Sequence, residues 1–187
     1  MLTLKKITGI SDPLFTNLYN LYTLAFPPDE RRTWGGLEHE LNYEKRFCAQ
    51  VLLQDNRFVG LLNYWTFESF CYIEHFAVVP TLRGQHVGTE AMELFKSKIN
   101  LPIIFEVELP DNPLAIRRIK FYERLGYTVL PQSYSQPPYE GEGSLIQMKV
   151  MSNDPHFANK HFDMIKENLY NRVYHYDYID DKEPDRE

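Results

Sequence analysis

The sequence predicts an α/β protein built on a mixed central sheet with helices on both sides. Segments rich in β-branched and aromatic residues, which favour strands, alternate with segments whose apolar residues recur at helical spacing. Over residues 2–150 the order of these segments is β-α-α-β-β-β-α-β-α-β-β. Such an order combines hairpin strands with strands connected through helices, and it is typical of a mixed sheet covered on both faces.

The composition excludes several classes of protein. The chain has 187 residues, 43% of them apolar, and a net charge of −6, which suits one globular domain and argues against a nucleic-acid partner. It contains no run of about 18 apolar residues that could span a membrane, and its first residues lack the apolar core of a signal peptide. Cys48 and Cys71 have neither metal-ligand nor disulfide spacing. We therefore expect a cytoplasmic protein without a metal site.

The first third of the chain contains five predicted elements. Residues 2–7 alternate between apolar and polar types, and Ser11 or Asp12 can cap a helix that has Pro13 at its first position. That helix ends at Phe26, before two prolines. The elements are a strand at 2–7, helices at 13–25 and 33–43, and strands at 47–54 and 58–67 joined by the tight turn Asp55-Asn56-Arg57.

The later part of the chain continues the alternation and ends in an extension. We predict a strand at 102–109, a helix at 114–125 that Gly126 terminates, and strands at 127–130 and 144–150. The intervening residues 131–143 are rich in Pro and Gly, which predicts an irregular loop. Residues 1–151 then form the domain, 152–176 a helical extension packed on it, and 177–187 an acidic, flexible tail. The pattern is compatible with a monomer or a homodimer.

The stretch from Tyr72 to Glu93 carries the main functional signal. A strand ends at Pro80, and a turn that contains glycine leads from Arg83 into a helix. The free N–H groups and the positive dipole end of such a helix suit a phosphate or pyrophosphate, and Arg83 adds a cation. The turn matches neither a P-loop, because no Lys follows Gly88, nor the G-x-G-x-x-G dinucleotide fingerprint.

The same turn resembles the acetyl-CoA signature of the GCN5-related N-acetyltransferase (GNAT) family, [R/Q]-x-x-G-x-[G/A] after a strand that ends in V-x-P. In this sequence Val78-Val79-Pro80 is followed by Arg83-x-x-His86-x-Gly88. His86 stands where the family usually has its first glycine. The resemblance covers residues 2–150 and implies the GNAT fold with acetyl-CoA as co-substrate. It implies these cofactor-binding residues: Phe76, Ala77, Val78, Arg83, Gly84, Gln85, His86, Val87, Gly88 and Thr89. The family's fourth strand splays with a bulge, which implies that backbone N–H groups at Phe76 to Val78 meet the pantetheine and the thioester.

A second segment, from Phe121 to Tyr127, is similar to the family's F-Y-E-K-x-G-F segment. The resemblance implies that Tyr122 protonates the departing thiolate of CoA. A phenol with a pKa of about 10 stays protonated at neutral pH and so remains a donor. The alternative is that Tyr122 is a core aromatic on an amphipathic helix. Seven residues earlier the family often has Asn, where this chain has Ala115.

An amine acceptor is protonated at neutral pH, so the reaction needs a base. Glu74 is the first candidate and His75 the second. Because side chains alternate along a strand, only one of them is expected in the cleft. Glu106 and Glu108 share a face of the next strand and either bind a cationic substrate or pair with arginines. Glu30, Tyr134 and Tyr139 are further candidates for acceptor binding, and Arg31 and Arg32 could bind an anionic group.

These observations predict an acetyl-CoA-dependent N-acetyltransferase that acts on a small-molecule primary amine by direct attack in a ternary complex. Two alternatives stay open at this point. One is a non-catalytic acyl-CoA-binding sensor. The other is an acetyltransferase for protein N-termini, which would need an open groove in place of a closed pocket.

Overall fold

The computed structural model describes residues 1–139 and 143–176. The described residues form eight strands and six α-helices, followed by a π-helical segment, Leu169–Val173. The elements are β1 (Leu2–Lys6), α1 (Phe15–Ala25), α2 (Trp34–Tyr43), β2 (Phe47–Gln54), β3 (Arg57–Thr66), β4 (Cys71–Val78), α3 (Val87–Lys98), β5 (Ile103–Glu108), α4 (Pro113–Arg124), β6 (Thr128–Val129), β7 (Tyr134–Gln136), β8 (Ile146–Ser152), α5 (Pro155–Lys160) and α6 (Phe162–Asn168).

The strands form one mixed sheet, which confirms the predicted fold class. Its order is β1-β2-β3-β4-β5-β8-β6, with β7 also paired to β8. The pair of β4 with β5 is parallel, and the other pairs are antiparallel. The β2–β3 hairpin turns at Asp55 and Asn56, whose φ angles of 50° and 64° are those of residues that tolerate the left-handed region.

The parallel strands β4 and β5 separate after three residues. Cys71, Tyr72 and Ile73 pair with Ile103, Ile104 and Phe105, and no register continues beyond that point between the two described strands. On its other edge β4 remains paired with β3 as far as Val78. The backbone of β4 beyond Ile73 is therefore unpaired on the side that faces β5, and the sheet opens there.

A β-bulge in β4 lies next to this opening. Asn63 pairs with His75 while Tyr64 pairs with Ile73, so Glu74 is the extra residue. The bulge lies two residues before the Phe76-to-Val78 segment. Because a bulge interrupts the alternation of side chains, it changes which way Glu74 and His75 point.

The helices lie on the two faces of the sheet and define separate cores. On one face, Phe15 of α1, Leu37 of α2 and Ile165 of α6 pack in one apolar cluster with Trp65. On the other face, side chains of α3 and α4 pack on β4 and β5 in a second cluster. The C-terminal helices therefore share the face of α1 and α2.

Two sequence predictions of secondary structure were wrong. The segment predicted as an irregular loop contains β7, whose Tyr134 and Gln136 are buried while the strand pairs with β8. The burial of these side chains and the hydrogen bonds to β8 stabilise a strand there, although the neighbouring prolines disfavour one. Within the extension predicted at 152–176, the apolar spacing favours one helix from 154 to about 173. The chain is instead interrupted at His161, whose ψ of 23° departs from helical values, so α5 and α6 are separate. The predicted acidic tail, 177–187, lies outside the described residues.

None of the helices in the described ranges has the length and apolar character needed to cross a bilayer.

Candidate active site

A cleft of about 690 Å³ opens where β4 and β5 separate. This volume is in the range of small-molecule and cofactor sites. Its walls come from β4, the loop after β4, the start of α3, one side of α4 and the end of α1. Glu74, Glu106 and Tyr122 all border it.

The loop between β4 and α3 presents backbone donors to the cleft. Gly84 has a φ of 78°, and His86 has φ 63° and ψ 0°, so both take the left-handed conformation. α3 begins at the next residue, and the side chain of His86 makes no capping hydrogen bond to it. The first N–H groups of α3 have no partner within the helix and lie beside the cleft. His86 thus adopts the dihedral angles that a glycine would adopt.

Most of the residues expected to bind the cofactor border the cleft. They are Phe76, Ala77, Val78, Arg83, Gly84, His86, Gly88 and Thr89. Gln85 instead donates to the carbonyl of Thr81 at 3.0 Å, and Val87 is buried in the core. The Nε of Arg83 donates to the carbonyl of Val78 at 3.3 Å, which holds the exposed guanidinium at the cleft edge.

One side of α4 forms the opposite wall. Arg117, Phe121 and Arg124 border the cleft, and the ring of Phe121 lies beside Gly88. Arg118 also borders it but is paired with Glu108 at 2.8 Å. Arg124 was not among the residues that the sequence predicted for the site. The signal was present, since positions 117, 121 and 124 share one helical face.

Tyr122 is buried against β5. Its ring centroid lies 4.4 Å from that of Phe105, and the side chain borders the cleft. Burial raises the pKa of Tyr122 to about 12. The phenol is therefore fully protonated over the physiological range. Tyr122 is a core aromatic that also borders the cleft.

The carboxylate of Glu74 is engaged in a buried ion pair. One oxygen accepts from Nη2 of Arg32 at 2.9 Å, the other accepts from Nε1 of Trp65 at 3.0 Å, and the side chain is 1% exposed. Glu74 therefore contributes mainly backbone atoms to the lining of the cleft. Arg32, which sequence reasoning considered only as an anion binder, is itself buried and also pairs with Glu40 at 3.0 Å.

His75 points to the same side of the sheet as Glu74. Its Nδ1 lies 3.9 Å from the carboxylate of Glu74, so the two side chains do not point to opposite sides, because the bulge at Glu74 interrupts the alternation. Of the two residues, only Glu74 borders the cleft. The Nε2 of His75 is 2.9 Å from the carbonyl of Glu30, where it is assigned as the donor. Burial lowers the pKa of His75, which keeps the imidazole neutral.

Glu106 lies at the opening of the sheet within a group of tyrosines. Its carboxylate accepts hydrogen bonds from the hydroxyls of Tyr134 and Tyr174, the latter at 2.6 Å. Burial raises the pKa of Glu106 to about 7, although these hydroxyls oppose the shift. Tyr174 lies in the C-terminal extension, and sequence reasoning missed it because no local pattern links it to β5.

The remaining candidates for acceptor binding lie around this group. Tyr139 is buried, and its ring lies 5.0 Å from the guanidinium carbon of Arg32. Glu30 is half-buried at the connection between α1 and α2, and burial raises its pKa, assisted by the charges of Glu108 and Asp29. Asn112, the asparagine nearest to Ala115, caps α4 through the N–H groups of Leu114 and Ala115.

Comparisons with known proteins agree with this geometry. A solved structure of a GNAT-family protein from Bacteroides thetaiotaomicron is 31% identical, covers 92% of this chain and 98% of its own, and superposes with a TM-score of 0.87. The Arabidopsis thaliana protein Naa50, solved with a bisubstrate analogue, is 20% identical, with 81% and 97% coverage and a TM-score of 0.57. This second likeness concerns the fold alone.

A curated relative from Bacillus subtilis (strain 168), YjbC, whose name assigns it to the acetyltransferases, is 27% identical over 110 residues. The match spans 58% of this chain and only 55% of that relative. The sequence model of the Acetyltransferase (GNAT) family matches residues 15–127, which include the loop between β4 and α3 and Tyr122. With more than half of its length matched in this way, the chain belongs to the GNAT acetyltransferase family.

Proposed function

We propose that the protein transfers an acetyl group from acetyl-CoA to a primary amine of a small molecule, by direct attack in a ternary complex. The observation that carries the proposal is the pairing of two titratable groups across one opening. Glu106 and Tyr122 border the same cleft where β4 and β5 separate, and the pKa of Glu106 is about 7 while that of Tyr122 is about 12. A base and an acid are thereby available at the same pH.

The proposed cofactor site consists of the loop between β4 and α3 and the walls of the cleft that β4 and α4 form. The N–H groups at the start of α3 and the guanidinium of Arg83 would hold the diphosphate. The unpaired edge of β4, from Phe76 to Val78, would face the pantetheine arm and the thioester oxygen. Arg117 and Arg124 would add positive charge along α4.

In the proposed reaction, the ammonium group of the acceptor gives one proton to the carboxylate of Glu106. The freed nitrogen lone pair attacks the thioester carbon, and the C–S bond breaks as the tetrahedral intermediate collapses. Tyr122 gives its proton to the departing thiolate, and the nitrogen loses its second proton, which returns through water to the phenolate of Tyr122. Glu106 then releases its proton to solvent. We assign the base to Glu106 in preference to Glu74, because Glu74 is held in an ion pair with Arg32, whereas Glu106 accepts from the neutral hydroxyls of Tyr134 and Tyr174 and its pKa is raised to about 7. Direct attack is also consistent with the burial of Cys71, which raises its pKa to about 12 and disfavours a reactive thiolate.

A small acceptor is supported by the packing of the late loop. The ring of Tyr139 lies over Arg32 and 5.0 Å from the ring of Tyr174, so this loop contacts both the α1–α2 connection and the C-terminal extension. These contacts narrow the part of the cleft where the acceptor would bind, whereas an extended peptide needs an open groove.

The test is release of free thiol from acetyl-CoA with a panel of primary amines. We expect Glu106→Gln to lower kcat by roughly 10²-fold or more at pH 7.5, because positioned base catalysis is worth about 10²–10⁴. Glu108→Gln, two residues along the same strand, is the matched control and should retain activity. Retention of full activity by Glu106→Gln would refute the assigned base.

The non-catalytic alternative is tested with the same material. His86, the departure from the family signature, takes the left-handed angles of a glycine, and α3 begins at the next residue. Acetyl-CoA that raises the unfolding temperature without turnover on amines or on peptides with free N-termini would favour a sensor. Turnover on the peptides alone would favour a protein acceptor.

A further inference from the structure

The C-terminal extension reaches the two carboxylates at the opening of the sheet through two neighbouring residues. The carbonyl of Val173 accepts from Nη2 of Arg32 at 2.6 Å, and the same nitrogen donates to Glu74. The hydroxyl of Tyr174 donates to Glu106 at 2.6 Å. Both residues lie outside the segment that matches the family model, residues 15–127.

The hydroxyl of Tyr174 is held in a fixed position. The residue is 1% exposed, its ring packs on that of Tyr139, and its hydroxyl oxygen lies 2.9 Å from that of Tyr72. Because Tyr174 donates to Glu106, Tyr72 is assigned as the donor to Tyr174. Because this hydroxyl is already oriented, its hydrogen bond to a carboxylate costs little additional conformational entropy. A second hydroxyl that donates to it strengthens that hydrogen bond.

We propose that the C-terminal extension is a working part of the active site, in which Tyr174 is a positioning residue for the carboxylate of Glu106. The inference rests on the proposed function, in which Glu106 is the base. Without this hydroxyl, Glu106 would keep Tyr134 of β7 as its main donor, together with a smaller contribution from the hydroxyl of Tyr72. One oxygen would lose the donor that holds it in its ionised form, and the carboxylate would bind its proton more tightly.

The groups that face Glu106 determine how its pKa changes when the hydroxyl of Tyr174 is removed. Tyr134 and Tyr174 donate to the carboxylate and favour its ionised form, and Tyr72 of β4 also contributes. Glu74, from the same strand as Tyr72, opposes ionisation through its negative charge, which Arg32 partly offsets. Removal of the Tyr174 hydroxyl therefore shifts the balance toward the protonated carboxyl, which cannot accept a proton.

The experiment is the variant Tyr174→Phe, which keeps the ring and removes one donor. We expect the pKa of Glu106 to rise by about one unit, since a hydrogen bond to a charged group is worth roughly that much. ¹³C NMR of the glutamate carboxyls measures this without an acceptor, with Glu106→Gln used to assign the signal. In thiol-release assays kcat/KM should fall about tenfold at pH 6 and stay close to wild type at pH 9, with KM for acetyl-CoA unchanged.

Tyr170→Phe is the matched control. Tyr170 lies in the π-helical segment that ends just before Tyr174, and its hydroxyl donates to the carbonyl of Ser135 at 2.5 Å. If the effect came from loosening of the extension, this variant would shift the pKa of Glu106 equally, and that result would overturn the proposal. So would an unchanged Glu106 pKa in Tyr174→Phe. Should that variant fold poorly, Tyr72→Phe is the second test, with a smaller shift in the same direction expected and no shift counting against the proposal.

The two readouts separate this inference from the proposed function. A shifted Glu106 signal in Tyr174→Phe supports the positioning role, whereas full turnover by Glu106→Gln would refute the assigned base. Loss of turnover in Glu106→Gln together with an unmoved signal in Tyr174→Phe would refute the positioning role alone.

Discussion

Arg32 and Glu74 are 42 positions apart in the sequence and form an ion pair of 2.9 Å in which both side chains are almost completely buried. The same guanidinium pairs with Glu40 and donates to the backbone carbonyl of Val173. One side chain therefore connects the α1–α2 connection, β4, α2 and the C-terminal extension. Such a pair is costly to break, because removal of one partner leaves an uncompensated buried charge.

We predict that Arg32→Ala lowers the free energy of unfolding by about 3–5 kcal/mol, since it leaves Glu40 and Glu74 buried without their cation. Arg32→Lys should recover only part of this loss, because an ammonium lacks the planar set of donors that reaches three acceptors. Urea unfolding followed by circular dichroism measures the change.

Arg31→Ala is the control for the Arg32 variants, because its neighbouring guanidinium donates only to the carbonyl of Phe26 among the hydrogen bonds recorded for the described residues. A loss below about 1 kcal/mol is expected there. An Arg32→Ala protein as stable as Arg31→Ala would contradict the structural role of the buried pair.

We predict that Tyr122→Phe lowers kcat by roughly 10²-fold with little change in the affinity for acetyl-CoA, because it removes only the proton donor for the thiolate. The measurement is steady-state thiol release together with calorimetric binding of acetyl-CoA. Since the pKa of Tyr122 is about 12, the wild type should show no loss of activity from this group up to about pH 10.

Tyr127→Phe is the control for Tyr122. The two rings belong to one aromatic group, with centroids 6.2 Å apart, but the hydroxyl of Tyr127 is buried without a recorded partner. Its removal should leave turnover unchanged and should not reduce stability. Equal losses of turnover in both variants would point to packing and not to proton donation.

The raised pKa of Glu106 predicts that the stability of the protein depends on pH. Its pKa is raised in the folded protein from 4.5 to about 7, so the folded state binds the proton more tightly than the unfolded chain. The associated stability is complete below about pH 4.5 and is lost as the pH rises through 7. The shift corresponds to roughly 3 kcal/mol.

Glu106→Gln should therefore gain stability relative to the wild type as the pH is raised from 4.5 to 8, by up to about 3 kcal/mol. Chemical unfolding at several pH values gives the difference curve, with Glu108→Gln as the control for the loss of one charge on the same strand. A difference that is flat over this range would show that the pKa of Glu106 is not raised.

Local pattern was sufficient to predict the sheet and the strand–turn–helix unit that contains Arg83 and Gly88. The strands β2 to β5 have continuous β-favouring sequences, and the segment around Arg83 and Gly88 lies within one strand–turn–helix unit. The strand β7 was missed because three residues between prolines carry too little signal, and only pairing with β8 stabilises them. The break at His161 was missed because apolar spacing continues across it.

The acceptor side of the candidate site could not be predicted in the same way. The contacts of Glu106 with Tyr134 and Tyr174 join positions 28 and 68 residues apart, and no periodicity links them. The bulge at Glu74 depends on a register shift against β3, which a single strand's sequence does not reveal. Long-range pairing therefore determines which carboxylate is available, and the sequence indicated only that carboxylates are present.

His86 offers a test of backbone strain in the cofactor loop. Its φ of 63° is unfavourable for a residue with a side chain, and no capping bond from the imidazole compensates. We predict that His86→Gly raises the free energy of unfolding by about 1 kcal/mol, since the left-handed conformation costs a non-glycine residue about 1–2 kcal/mol and glycine loses more entropy on folding.

The same variant should bind acetyl-CoA at least as tightly as the wild type, because the backbone N–H groups stay in place and a side chain beside the cleft is removed. Thermal unfolding with and without acetyl-CoA measures both effects. Arg83→Ala is the contrasting variant, with unchanged intrinsic stability and a smaller shift on ligand addition. If His86→Gly abolished the acetyl-CoA shift, the imidazole itself would be a ligand of the cofactor, and the loop would bind phosphate through a side chain where we expect backbone donors.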